Sequence, residues 1–339
     1  MNMTPDFENN LRKVLQGGQP KRATLFELLI SETHLEALAG HKAEGNDLLS
    51  RLRLRVEAMA AGGYDYAMTH ASPFRFVKVP RHKKQSASLN DGAVITDRAS
   101  FESFDWPDPT DFDTSHLEKI RPCLPEGMKL MVMGPDGVLE TVIRLMGYDN
   151  LCLLLYDDPA LVEAVFEEVG SRFVKYYELA AEHDTVGILC SNDDWGFHSQ
   201  TFLSTEDMRR LVFPWHKKIV QVAHRHGLPC ILHSCGNYTK VIEDVINDMG
   251  YDARHSYEDK IVPVERAYEE LHGRIAVLGG IDVHFLTTKT PEEVYTRARN
   301  MLLQVGDRGG YALGSGNSIA PYVPVRNYLA LLQAAKDTN

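Results

Sequence analysis

The chain has 339 residues, 36 of them Lys or Arg and 47 Asp or Glu, so its formal charge is −11, and 44% of it is hydrophobic. An acidic chain without long basic runs is poorly suited to nucleic acid or an anionic membrane surface, because neutralising phosphates takes clustered Lys and Arg. No stretch approaches the ~20 consecutive apolar residues of a membrane helix. The opening MNMTPDFENN also lacks the charged and apolar regions of a secretory leader, so a cytoplasmic protein is expected. Five cysteines, odd in number and far apart, point to free thiols rather than a disulfide framework. The densest basic stretch, Arg81-His82-Lys83-Lys84, reads as a solvated loop.

In chain order, the first 20 residues or so read as a helical lead-in. Eight short β-type runs follow, at 22–30, 64–70, 129–134, 185–191, 228–235, 251–257, 274–281 and 309–316, separated by longer amphipathic stretches. Ser204 before Thr-Glu-Asp marks a helix start for 205–226, which His226-Gly227 closes. Thr290 before Pro291 and two glutamates opens 291–305 in the same way. Apolar strands with little alternation, each followed by a helical pattern, predict a parallel sheet covered by helices. Closure into a single (β/α)8 TIM barrel is the economical topology, one α/β domain over 1–339 with the barrel proper at about 22–335. The stretch 71–128, after strand two, is long for one connection and is expected to be an insertion near the barrel mouth. An open doubly wound sheet would carry a Gly-rich loop after its first strand, where ATLFELLISE has no glycine.

Chemistry on such a barrel sits where strands end. Those ends supply Glu27 and Glu32, His70, Asn192 with Asp193 and Asp194, His233 with Cys235, His255 with Glu258 and Asp259, Asp282 with His284, and Ser315 with Asn317. In His233-Ser234-Cys235-Gly236 the imidazole and the thiol stand at i and i+2, on one face of an extended strand, a pairing that zinc favours. A buried cysteine beside a hydrogen-bonded histidine is the structural alternative. Asp194 is the better candidate for the site of the two adjacent acids, although both could cap the following turn. Asp282 equally suits a helix cap. Tyr66, Trp195 and Phe197 could wall a flat ligand, whereas Met131, Met133 and Met146 suit core packing.

Several segments together resemble the uroporphyrinogen decarboxylase superfamily, which holds that decarboxylase and zinc-dependent, corrinoid-linked methyltransferases. They are MGPDGVLETVIRLMGYDNL, the Asp-Asp-Trp-Gly segment with LSTEDMRRLVFPWHKKIV, ILHSCGN, LGGIDV and GGYALGSGNSIAPYVPVRNY, spread over about 130–330. The decarboxylase branch would need an arginine-rich segment near the N-terminus to hold substrate carboxylates, where this chain reads GGQPKRATLFELLISETH. The methyltransferase branch has His-x-Cys-Gly as two zinc ligands, which His233 to Gly236 match. Its thiol-methylating members add a cysteine after the last strand, a position held here by Asn317. An acid after strand six can also coordinate, and Glu258 falls there.

The resemblance therefore implies zinc on His233, Cys235 and Glu258, with one position open. It implies Asp194 or Glu27 as proton donor or orienting group, and Tyr66, Asn192, Trp195, Asp282 and Asn317 around the substrate. The activity it implies is methyl transfer between a small methylated substrate, of methoxyarene or methylamine type, and the cobalt of a corrinoid. The chain has no Asp-x-His-x-x-Gly segment to hold the corrinoid in its own fold, so a separate corrinoid protein is the expected partner. A tetrapyrrole decarboxylase is the alternative enzyme.

Overall fold

Seven of the eight predicted runs form strands: β1 (Tyr66–His70), β2 (Lys129–Met133), β3 (Val186–Asn192), β4 (Cys230–His233), β5 (Ala253–His255), β6 (Ala276–Leu278) and β7 (Tyr311–Ala312). They pair in parallel in the order β1-β2-β3-β4-β5-β6-β7, so strands consecutive in the chain are neighbours in one curled sheet. This computed structural model describes residues 3–76 and 88–338, and the Arg81 to Lys84 run lies outside them. Strand side chains such as Leu130, Met131, Val132 and Ile188 are fully buried, as is Met146, and Met133 is nearly so, in keeping with core packing. No described helix is long and apolar enough to cross a membrane.

The expected first strand is corrected. Residues 22–30 make only isolated parallel bridges, Leu25 to Leu313 and Ile30 to Ile319. On the side facing β1, the Tyr66 hydroxyl accepts from the Glu27 N–H at 2.8 Å and donates to the Glu27 carbonyl at 2.5 Å. A side chain has taken both backbone groups that a ladder would use, so no ladder forms there. The expected helical lead-in also shrinks, to Leu11–Leu15, which buries Leu11, Val14 and Leu15.

The helix expected at 205–226 forms with an interruption. Ser204 caps it, accepting from the Asp207 N–H at 3.0 Å. A widened π turn spans Met208–Val212 before the regular helix Phe213–Arg225. Pro214 has no N–H to offer the carbonyl four residues back, which explains the wide turn. Pro291–Val305 forms as expected, with Thr290 and Glu293 in a reciprocal capping box. In the described part of 71–128 there are only short helices, including Arg98–Glu102 and His116–Lys119. Phe74, Phe76, Ile95, Leu117 and Ile120 from this stretch are buried, and His116 Nε2 donates to the carbonyl of His70 at 2.9 Å.

Candidate metal centre

β3 and β4 run side by side, with Asn192 opposite His233 at their C-terminal ends. The two residues after β3 and after β4 therefore emerge together. The Cys235 N–H donates to Asp194 Oδ1 at 2.8 Å and ties the two loops. One ligand atom each from Asp194, His233 and Cys235 lie within 4.8 Å of one another. Cys235 Sγ is 3.8 Å from His233 Nε2. Gly236 permits this turn: its φ is +96°, and a Cβ there would come within 2.3 Å of the Gly196 carbonyl oxygen.

Two donors face the sulfur. Asn317 Nδ2 is 3.2 Å away and Ser256 Oγ 3.5 Å. Burial pushes the Cys235 thiol up to about 12, with the charges of Asp194 and Glu258 adding to the effect and the Ser256 hydrogen bond opposing it. Burial likewise pushes His233 down to about 3. The thiol thus keeps its proton and the imidazole stays neutral until a cation compensates the thiolate. Behind His233 stands its register partner on β5, His255. Their Nδ1 atoms are 2.8 Å apart, and His255 Nε2 is 3.2 Å from the carbonyl of Ser315.

The other predicted residues divide sharply. Asn317 is against the thiol, and Asn192, at the end of β3, has a buried Oδ1 with no hydrogen-bond partner. Glu258 is turned to the exposed His198, 3.0 Å away, and is not one of the converging trio. Glu27 is fully buried, its two oxygens accepting from the Ser315 N–H at 2.8 Å and hydroxyl at 2.5 Å, and burial pushes it up to about 8. Tyr66 and Trp195 are sealed in the core, Tyr66 on Glu27 and Trp195 against Phe213 and His216. Phe197 is partly exposed. Asp282 caps Val283–Thr288 and accepts from the Asp259 N–H.

Asp193, the neighbour of Asp194, caps Val138–Met146 by accepting from the N–H groups of Leu139 and Glu140 at 2.9 and 3.0 Å, and holds His216 at 2.9 Å. Sequence reasoning missed Glu140. Its carboxyl is hydrogen-bonded by the backbone of Asp194 and pushed up to about 8 by burial, then by the charges of Asp193, Asp194 and Asp136. The only signal was its place within MGPDGVLETV, on a helix and not at a strand end.

The family model described as "Uroporphyrinogen decarboxylase (URO-D)" matches residues 128–338. A methylated-thiol–coenzyme M methyltransferase of Methanosarcina mazei is 26% identical over 248 residues, covering 70% of this chain and 62% of that protein. A uroporphyrinogen decarboxylase of Anaeromyxobacter dehalogenans is 28% identical over 225 residues, covering 64% and 61%. The matches thus span only about three fifths of these relatives' own length. Among solved structures, a methyltransferase from Methanosarcina mazei superposes with a TM-score of 0.71 at 15% identity, over 98% of this chain and 99% of that one. A putative vitamin-B12-independent methionine synthase from Listeria monocytogenes gives 0.54 at 14% identity, over 94% and 98%. Both likenesses speak to the fold.

Proposed function

We propose, on the premise that this chain belongs to the uroporphyrinogen decarboxylase family, that it is a zinc-dependent methyltransferase of that family's corrinoid-linked branch. In this reading a methyl group passes between a small methoxyarene or methylamine and the cobalt of a separate corrinoid protein. The observation that carries it is the convergence of a carboxylate, an imidazole and a thiol from Asp194, His233 and Cys235. Oxygen, nitrogen and sulfur donors in a set of three suit a catalytic zinc with one position left open. We assign the third position to Asp194 rather than Glu258, because Asp194 is already bonded to the Cys235 backbone while Glu258 is engaged by His198.

When bound, zinc supplies Lewis acidity that makes the heteroatom of the methylated substrate a better leaving atom. With an amide at Asn317 in place of a second thiolate, less negative charge is donated to the metal, which favours an oxygen or nitrogen heteroatom. The chain's own residues do the rest. Asn317 and Ser256 donate to the sulfur of Cys235 and stabilise its deprotonated form. Asp194 fixes the loop that carries Cys235. Asn192, with an unpartnered Oδ1 buried at the end of β3, lies opposite His233 beside the site. Glu27, Tyr66 and Trp195 support the site from beneath without touching the substrate, and Asp282 caps its own helix.

Arg22 bears on the alternative. A decarboxylase acting on a tetrapyrrole would use N-terminal arginines for substrate carboxylates, yet Arg22 is bound to the buried Asp65 at 2.6 Å. The test mixes the zinc-loaded protein with a reduced corrinoid protein and a panel of methoxyarenes and methylamines, and follows the cobalt spectrum. Methylcobalt formation that disappears in Cys235→Ala supports the proposal. No methylcobalt with any donor, in a preparation that decarboxylates uroporphyrinogen, would replace it with the decarboxylase.

A further inference from the structure

The two buried histidines at the ends of β4 and β5 form a chain whose protons can be placed from its one fixed acceptor and the burial of both rings. A backbone carbonyl can only accept, so the 3.2 Å contact between His255 Nε2 and the Ser315 oxygen puts a proton on His255 Nε2. A neutral imidazole carries one N–H, so His255 Nδ1 is a bare lone pair. The 2.8 Å contact between the two Nδ1 atoms then needs its proton from His233. What remains on His233 is a bare Nε2, and that is the atom 3.8 Å from the Cys235 sulfur. Both rings are buried, His255 against Phe26 at 5.2 Å between centroids, where an uncompensated imidazolium is costly, so each ring carries a single N–H.

The far end of the chain is anchored as well. Glu27 holds the Ser315 N–H and hydroxyl together, which anchors the residue whose carbonyl His255 uses. Gly279 keeps the contact open, since a Cβ there would lie 2.2 Å from the Ser315 oxygen and 3.1 Å from His255 Nε2.

We propose that His255 is a positioning residue that locks His233 in the Nδ1–H tautomer, so that His233 presents a bare Nε2 to a metal before any metal arrives. The value of this lock for zinc rests on the function proposed above, whereas the tautomer itself rests on the hydrogen-bond geometry and the burial of both rings. Partners of this kind orient metal-bound histidines, and their loss typically lowers metal affinity about 10- to 100-fold.

Long-range proton–nitrogen NMR on metal-free protein labelled in its histidines reads the lock directly. In the wild type, His233 is expected to be protonated at Nδ1 and bare at Nε2, with His255 the reverse. His255→Phe, which removes the acceptor, should move the His233 proton wholly or partly to Nε2 and weaken zinc, measured against a competing chelator, by about 10- to 100-fold. His255→Asn, whose side-chain oxygen can replace the lost acceptor, should recover most of both. A wild-type His233 protonated at Nε2 overturns the proposal, even where the variants fail to fold. So does a His233 tautomer unchanged in a folded His255→Phe protein. Failure of methyl transfer or of zinc binding, with the tautomer as expected, would count against the proposed function and leave the lock standing.

Discussion

Two acid–imidazole clusters stand one residue apart in this chain and do opposite things. In the first, Asp193 accepts two helix N–H groups and the His216 Nε2 proton, and His216 Nδ1 meets the Tyr251 hydroxyl at 2.7 Å. Both side chains are fully buried and saturated with partners. In the second, Asp194, His233 and Cys235 converge at the ends of β3 and β4, the carboxylate accepting from the Cys235 N–H, the sulfur accepting from Asn317 and Ser256, and His233 Nε2 lying 3.8 Å from that sulfur. Ionisable groups are equally dense in both. What separates a brace from a site is lone pairs left without donors at the open ends of the strands.

The contrast can be broken most severely by exchanging the two acids for alanine. Asp193→Ala leaves His216 and two helix N–H groups without their acceptor and should cost about 3–5 kcal/mol of stability in chemical denaturation. Asp194→Ala should leave stability within about 1 kcal/mol and should lose zinc to a chelator that the wild type resists. Equal destabilisation by both, with zinc retained by both, would erase the distinction.

A smaller effect is expected at Gly236. Alanine there meets both the left-handed backbone and the Gly196 carbonyl, so Gly236→Ala should cost about 1–3 kcal/mol in thermal unfolding and displace Cys235. Weakened zinc binding should accompany it, whereas Gly227→Ala, with open space around its Cβ, should leave zinc untouched.

A separate test concerns pH. The folded-state value of Glu27, about 8, lies above its ordinary 4.5, so its share of stability is fully present below about 4.5 and is lost as pH rises through 8. Stability of the wild type, read from melting curves, should therefore fall across that window, Glu27 and Glu140 each contributing up to about 1.4 kcal/mol per pH unit. Glu27→Gln should flatten part of the slope, with Glu140, shifted in the same direction, supplying the remainder. A slope unchanged in Glu27→Gln would mean that Glu27 stays ionised throughout.

Much of this was legible in the residue pattern, for physical reasons that also mark where it stopped. Apolar runs with helical spacers located all seven strands, because a strand covered on both faces must be apolar throughout. Residues 22–30 have the same look, but the Tyr66 hydroxyl displaces their ladder, and no period reports a side chain that bonds a distant backbone. The i, i+2 rule brought His233 and Cys235 together. The carboxylate completing the trio depends on register between β3 and β4, which spacing within one strand does not contain, and so Glu258 stood where Asp194 belongs in our proposal. For the same reason the role of His255 emerged only from its pairing with His233. Tyr66 and Trp195 show that an aromatic at a strand end can face the core as readily as the mouth.

The amide of Asn317 against the Cys235 sulfur has a consequence for oxidative chemistry. The side chains around that sulfur are those of Asn317, Ser256, His233 and Asp194, none of which is a thiol. A centre with a second cysteine at that position could close an internal disulfide on exposure to oxidant and shed its metal in one step. Here the same insult must stop first at a sulfenic acid on Cys235, a state that an added thiol can reverse.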